Sequence, residues 1–446
     1  MTAAIIGGGI TGLTAAYELV KAGERPYLIE PGAIGGMIRS VQKEGFTLEC
    51  GPNVLVERPD LKSVLETLKL TDDVCYPAVN PYGQYVWYRK RARKVPSSVG
   101  QFIFSPLFGA LNKVLLPYRA FVPGVLPGDN DDRSVLSFFG PLLGEEVVHN
   151  LLDPVLKGIY GGDVDDLSAR QIFPGLWQAA KEGKSVVEYM RSRPSKGKPP
   201  ILVVRGGIQR ISDELWHAVE NFVSFVPRRV ARIVPLAQQR FRLNFHEGDS
   251  LEVDGCIVTT AAANSAQLVT QIDERLSADL SRVRVAGLSV VHLKVPRTQK
   301  LIPAAFGVLF PGGMPEDLLG VMFNSLIFPH VAPAQYHLLT VVLGGVQAHG
   351  RARNEQELRT RIPVLLKQLL GIREVEWLLM TEWPKAIPQL AVGYHKLVEQ
   401  LDECEKRSPG LVFAGIDRGG VGVSDRIRIA CEAVKRFRRV RVETAV

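Results

Sequence analysis

A glycine-rich turn between an apolar strand and a helix constrains the fold of this chain more than any other feature. The turn, residues 7–12, follows the pattern G-x-G-x-x-G after a strand predicted at 3–6 and before a helix predicted at 13–21. Its glycines permit a tight turn, close approach of the backbone to a pyrophosphate, and close packing of helix on strand. A second predicted strand, 25–29, ends in Glu30, whose carboxylate is placed to accept hydrogen bonds from a ribose diol. The predicted dinucleotide contacts are Gly7, Gly8, Gly9, Ile10, Thr11, Gly12 and Glu30.

Length and composition describe an ordinary globular protein. The 446 residues suffice for two or three domains, and 46% hydrophobic with 22% charged residues is typical of a soluble or peripherally bound chain. The sequence has no charge-free apolar run of about 18 residues, so a spanning helix is not predicted. The first strand follows Met1 almost directly, which leaves no room for a signal or transit peptide and predicts a cytoplasmic protein.

Charge and cysteine content narrow the range of binding partners and of disulfide or metal sites that this chain could have. A net charge of +8 favours nucleic acid, an anionic membrane surface or an acidic small molecule. No nucleic-acid motif is present, so the last two are favoured. The five cysteines are scattered and never in C-x-x-C spacing, which argues against a disulfide framework and against a metal site.

Two further glycine-containing segments follow the first unit. Gly35 and Gly36 let the chain bend over a cofactor, and Arg39 brings a guanidinium close to phosphates. A strand predicted from residue 45 then runs into a turn at Gly51, Pro52 and Asn53.

This succession resembles the FAD-dependent amine oxidase and protoporphyrinogen oxidase superfamily. The resemblance implies FAD, bound in part by these segments and in part by a helix N-terminus after a loop predicted at 417–422. A helix N-terminus there stabilises negative charge on a reduced flavin. The loop has no cysteine, which argues for non-covalent attachment. The cofactor contacts implied by the resemblance are Gly35, Gly36, Met37, Arg39, Gly51, Pro52, Asn53, Val54, Val230, Val421, Gly422 and Val423.

The segments 153–177 and 383–389 are similar to the protoporphyrinogen and coproporphyrinogen oxidase branch in particular. In that branch a glycine-aromatic-glycine turn borders the substrate pocket, which implies substrate contacts at Lys157, Gly158 and Ile159. Position 53 is asparagine where some relatives carry an arginine thought to meet a propionate, so another cation has to serve here if one is needed.

Residues 99–127 are unusually apolar and follow a basic stretch, 89–94, with five cations in six residues. Prolines interrupt the apolar stretch, which suits the interface of one membrane leaflet better than a span. A buried helical subdomain or an apolar tunnel is the alternative. The resemblance implies a helical membrane-binding insertion at this place.

The predicted fold class is α/β, with three parts. A discontinuous Rossmann-like FAD-binding domain comprises 1–75, 226–284 and 384–446. A substrate-binding domain with a mixed, largely antiparallel sheet comprises 76–90, 196–225 and 285–383, and a helical insertion comprises 91–195.

The activity implied by the resemblance is six-electron oxidation of protoporphyrinogen IX to protoporphyrin IX with dioxygen as acceptor. A coproporphyrinogen III oxidase of the same fold is the alternative, followed by another flavin amine oxidase or a carotenoid desaturase. None of the eight histidines lies in a motif that identifies a general base, so no catalytic residue is nominated. The oligomeric state, a homodimer included, is left open.

Overall fold

The computed structural model of the chain describes residues 2–79, 83–97, 99–128, 132–192, 199–302, 305–348, 353–415 and 418–443. Asp417, the first residue of the loop predicted at 417–422, therefore lies outside the described residues. Within these ranges, helices surround two main sheets. Smaller ladders pair Ser40–Lys43 with Phe46–Glu49, and Ile201–Val204 with both Leu55–Val56 and Val74–Cys75.

A five-stranded parallel sheet carries the glycine turn. Its strands, in spatial order, are Ser224–Val226, Tyr27–Ile29, Ala3–Ile6, Gly255–Val258 and Leu411–Phe413. Helices Ile10–Lys21, Gln209–Val219 and Val423–Glu443 share an apolar core with one face of this sheet. The other face packs against helices Ala262–Leu268, Glu274–Ser281 and Tyr394–Arg407 and an antiparallel meander of Val230–Pro235, Phe241–Phe245 and Ser250–Val253. Burial on both faces of the sheet explains why Ala3–Ile6 is apolar throughout. The predicted Rossmann-like α/β fold is confirmed.

The second main sheet has seven strands. Their spatial order is Glu376–Pro388, Val285–Pro296, Tyr336–Gly345, Leu318–Met322, Ala305–Leu309, Gly83–Tyr88 and Arg91–Lys94. All neighbours are antiparallel except Ala305–Leu309 and Gly83–Tyr88, which run parallel. Helix Glu355–Leu370 packs in the core of this sheet. Two further short helices, Pro59–Thr67 and Asn324–Ile327, lie beside these sheets.

The insertion that follows strand Arg91–Lys94 is helical and has its own core. Its helices are Val99–Phe104, Ala110–Phe121, Val135–Leu143, Glu145–Val147, Asp153–Tyr160, Ala169–Ile172, Pro174–Lys181 and Val186–Ser192, with a π-helical turn at Val148–Leu152. Phe138 and Trp177 are both buried in that core with ring centroids 5.2 Å apart. Among the described residues, no helix has the length and hydropathy needed to cross a bilayer.

Local packing differs from the predicted boundaries at two places. Helix Gln209–Val219 and strand Ser224–Val226 pack with the parallel sheet, although 196–225 had been predicted as part of the substrate domain. Residues 91–94, predicted within the insertion, form the edge strand of the seven-stranded sheet. The division into three domains otherwise remains a prediction.

Candidate cofactor and substrate site

The glycine turn lies at the carboxyl edge of the parallel sheet, where ligands of such sheets bind. Gly7 has φ +113°, and a Cβ on Gly12 would lie 1.8 Å from the Gly7 carbonyl oxygen. A Cβ on Gly9 would meet nothing nearer than the Gly36 Cα at 4.0 Å, so the space over Gly9 is open. Helix Ile10–Lys21 starts there with no side-chain cap and no acid in its first turn. Its free N–H groups and positive dipole end therefore fit a pyrophosphate.

Glu30 and Val230 lie beside this turn. The Glu30 carboxylate accepts hydrogen bonds from the Gly8 N–H at 2.8 Å and from the Gly32 N–H at 2.9 Å. Val230 is buried in one core with Ile6 and Ile29, the last residues of two parallel strands. This placement suits the predicted contacts of Glu30 with a ribose and of Val230 with the cofactor, which remain predictions.

The second and third glycine segments adjoin the first. The Gly35 N–H donates to the Gly8 carbonyl oxygen at 2.9 Å, and Gly35 and Gly36 have φ of +99° and +63°. A Cβ on Gly51 would lie 2.1 Å from the Met37 carbonyl oxygen, so only glycine permits this approach. The Arg39 side chain is exposed. The structure therefore brings together three segments that are spread over residues 7–54 of the sequence.

Asn53 connects these segments to the seven-stranded sheet. Its side-chain oxygen lies 3.4 Å from the Asn324 Nδ2, and the Thr340 hydroxyl donates to the Asn324 side-chain oxygen at 2.8 Å. In the same turn, the Trp383 indole N–H donates to the Cys50 carbonyl oxygen at 2.6 Å. The cofactor turn thus meets the sheet that the sequence predicts to carry substrate contacts.

Glu49 is a buried acid that sequence reasoning missed. Its carboxylate accepts hydrogen bonds from the Ser40 hydroxyl at 2.6 Å and the Ile208 N–H at 2.9 Å. Burial raises the pKa of Glu49 to about 7, against both hydrogen bonds, which favour ionisation. His292, whose Nε2 lies 3.2 Å from the Glu49 carbonyl oxygen, is buried, and burial lowers its pKa to about 4. No pattern distinguished Glu49 because an acid at the end of a short strand is ordinarily solvated.

The C-terminal loop completes the site. Val421, Gly422 and Val423 lead into helix Val423–Glu443, and the Ser424 hydroxyl donates to the Val56 carbonyl oxygen at 2.5 Å. In the first turn of this helix Asp425 forms an ion pair with Arg58 at 3.4 Å. The helix N-terminus therefore lies against the residues that follow Asn53.

The insertion approaches the loop before this helix through Gln171, whose Oε1 would lie 4.0 Å from a Cβ on Gly419. Burial raises the pKa of Tyr160, and the negative charge of Asp425 raises it further. The Gln389 side-chain amide donates to the Tyr160 carbonyl oxygen at 2.9 Å. The two segments most similar to the oxidase branch, 153–177 and 383–389, therefore contact each other, and the first of them also contacts the cofactor loop.

The three predicted substrate residues have different environments. The Lys157 ammonium is buried and lies 2.5 Å from both Asp153 Oδ2 and Asp163 Oδ1. Burial disfavours its charged form, but these two hydrogen-bonded carboxylates prevail and hold the pKa of Lys157 above its ordinary value. Gly158 lets the helix approach Leu309, whose Cδ2 would lie 2.6 Å from a Cβ there, and Ile159 is 49% exposed. Among these three, Ile159 offers free surface, while Lys157 already has two partners.

Comparisons with solved structures agree with this fold. A crystal structure from Exiguobacterium sp., of a protein named as a candidate protoporphyrinogen oxidase, superposes with a TM-score of 0.82 at 22% identity, covering 100% of this chain and 98% of that one. Cyclohexylamine oxidase from Brevibacterium oxydans gives a TM-score of 0.70 at 16% identity, with 98% of both chains covered. Because both identities are low, these likenesses establish the fold alone.

Sequence relatives extend over nearly the whole chain. Protoporphyrinogen oxidase 2 of Arabidopsis thaliana is 26% identical, covering 96% of this chain and 92% of the relative. Coproporphyrinogen III oxidase of Bacillus subtilis is also 26% identical, covering 95% of each. Residues 10–432 match the family described as flavin containing amine oxidoreductase. This chain belongs to the flavin-containing amine oxidoreductase family.

Proposed function

We propose that this chain is an oxidase that converts protoporphyrinogen IX to protoporphyrin IX. Its cofactor is FAD, as the family and the dinucleotide site require. The observation that carries the proposal is the contact of segment 153–177 both with Gln389, through the Tyr160 carbonyl oxygen, and with the loop before helix Val423–Glu443, where Gln171 lies beside Gly419. Relatives named for porphyrinogen oxidation match this chain over more than nine-tenths of its length. We further propose that the flavin is held without a covalent bond.

The reaction removes six electrons and six hydrogens from the substrate in three two-electron steps. When bound, the flavin supplies the hydride acceptor, and three molecules of dioxygen become three of hydrogen peroxide. The chain itself supplies binding and orientation: the glycine segments hold the dinucleotide, and the Gln389 amide fixes the Tyr160 turn. No general base is assigned to a residue.

The net charge of +8 complements a porphyrinogen, a wide apolar ring system with anionic side chains. The alternative substrate is coproporphyrinogen III, which carries more carboxylates. Sequence similarity does not choose between them, since the relatives from Arabidopsis thaliana and Bacillus subtilis are both 26% identical.

The proposal is tested by mixing the purified holoprotein anaerobically with protoporphyrinogen IX and, separately, with coproporphyrinogen III. We expect rapid bleaching of the visible flavin band with protoporphyrinogen IX, and peroxide formation when dioxygen is readmitted. Faster bleaching with coproporphyrinogen III would assign the alternative substrate. If neither bleaches a flavin-loaded protein, the porphyrinogen proposal is wrong and amines and polyenes become the substrates to test.

We also propose that the insertion docks peripherally on the cytoplasmic face of an anionic membrane. Helix Ala110–Phe121 has no buried residue, and four of its side chains at helical spacing form an exposed apolar face. This exposed apolar face consists of Leu111, Val114, Tyr118 and Phe121, which are between 60% and 72% exposed. Phe104, in the preceding helix, is 86% exposed. The basic stretch 89–94 packs nearby through Tyr88, which shares a core with Phe108.

Vesicle sedimentation tests this docking. We expect binding to vesicles containing phosphatidylglycerol, weaker binding to pure phosphatidylcholine, and at least about a tenfold loss for V114E, since a carboxylate at the contact opposes insertion by about 2–3 kcal/mol. The control is V364E, an equally small apolar residue, 54% exposed on helix Glu355–Leu370. If V114E leaves vesicle binding unchanged but dissociates a homodimer, the face is a subunit interface and the membrane proposal is wrong.

A further inference from the structure

Arg426 lies beneath the C-terminal loop and is bound to its backbone. Its side chain extends from the first turn of helix Val423–Glu443 and is only 6% exposed. One guanidinium nitrogen donates to the Gly415 carbonyl oxygen at 2.6 Å, and the other terminal nitrogen donates to the Gly419 carbonyl oxygen. One side chain thus contacts the backbone at both Gly415 and Gly419, before the helix begins.

The bond to Gly419 determines which way the next amide points. In a trans peptide the C=O and the following N–H project to opposite sides. With the Gly419 carbonyl turned towards the buried guanidinium, the Gly420 N–H is turned away from it. Gly419 and Gly420 have φ of +81° and +68°, a left-handed pair that glycine alone adopts without strain. Arg426 therefore selects one orientation of the amides that lead into residues 421–423.

Arginine is suited to this task because its planar guanidinium presents several donors in a fixed geometry. A lysine at the same place would offer a point charge on a flexible stem and would not reproduce the two-carbonyl contact. Because the guanidinium is buried, each hydrogen bond is stronger than at the surface, and loss of the side chain would leave two carbonyls to be satisfied anew.

We infer that Arg426 is a positioning residue that fixes the loop before helix Val423–Glu443 and thereby sets the affinity for FAD and its reduction potential. The inference rests on the proposed function and on the flavin contacts that the family resemblance implies for Val421, Gly422 and Val423. Correctly oriented N–H groups stabilise the negative charge that a flavin gains on reduction. A loosened loop therefore binds FAD more weakly and stabilises its reduced form less.

The test compares R426M, R426K and the matched control R428M, purified as holoproteins. Arg428 is on the same helix, but its partner is Glu432 on that helix, 2.8 Å away. The measurements are the dissociation constant of FAD, from the fluorescence of released flavin, and the flavin midpoint potential against a reference dye. For R426M we expect at least about a tenfold higher dissociation constant, which corresponds to about 1.4 kcal/mol, and a more negative potential. R426K should lie between R426M and the wild type, and R428M should match the wild type.

Wild-type affinity and potential in both Arg426 variants would overturn the inference, even if their thermal stability fell, since that pattern describes a purely structural residue. If R426M does not fold, R426K decides by the same two measurements. A wild-type protein that binds no FAD would instead contradict the proposed function, so the two failures are distinguishable.

Discussion

Replacement of Gly12 by alanine is expected to remove most of the bound FAD. The new Cβ would lie 1.8 Å from the Gly7 carbonyl oxygen and 2.9 Å from the Gly7 carbonyl carbon. Both are backbone atoms, so the turn or the helix has to move. Overpacking of this kind costs about 1–3 kcal/mol. If this cost arises only in the FAD-bound protein, the affinity for FAD falls about tenfold to hundredfold. The measurement is the flavin content after gel filtration, followed by an FAD titration.

The matched control is G109A. Gly109 precedes helix Ala110–Phe121 at φ −63°, and a Cβ there would meet nothing within 4 Å. We expect wild-type flavin content in this variant. Circular dichroism and thermal unfolding of both proteins separate loss of cofactor from loss of fold. A folded G12A protein that retains FAD with wild-type affinity would show that the turn at 7–12 does not carry the pyrophosphate.

The glycine turn shows how much of the fold and site was predictable from sequence. Its strand, glycines and helix are local, and the carboxyl edge of a parallel sheet dictates where they meet the ligand. The family resemblance implied flavin contacts at Val421 and Gly422, and these residues follow strand Leu411–Phe413 of the same sheet.

Other features depend on contacts between residues distant in sequence, which no local pattern encodes. Strand Ser224–Val226 pairs with Tyr27–Ile29 across nearly 200 residues, so its assignment to the substrate domain was wrong. From the sequence alone, Glu49 would be read as a solvated acid at the end of a strand. Its hydrogen-bond partners, Ser40 and Ile208, are identified only by the folded structure. Arg426 resembles any cation of a basic helix, since its acceptors are backbone carbonyls that have no residue-type signature.

Replacement of Lys157 by methionine is expected to destabilise the protein by about 3–5 kcal/mol, because it would leave the carboxylates of Asp153 and Asp163 buried without their shared cation. The measurement is the unfolding midpoint in urea and on heating. The control is K184M: Lys184 pairs with Glu182 at 2.6 Å, but its side chain is 49% exposed, and such surface pairs contribute about 1 kcal/mol or less.

The triple variant D153N/K157M/D163N distinguishes an unpaired charge from lost packing. Asparagine keeps an oxygen that can accept from the Val164 N–H and the Gln347 side-chain amide, which now contact Asp153 and Asp163. With no buried charge left, we expect the triple variant to recover most of the stability that K157M loses, as neutral replacements of buried ion pairs often do. The sequence predicts instead that Lys157 contacts the substrate. That prediction has a different consequence for K157M. If K157M has the stability of the wild type and instead a higher KM for the porphyrinogen, Lys157 contacts the substrate. The two carboxylates then position the lysine for that contact.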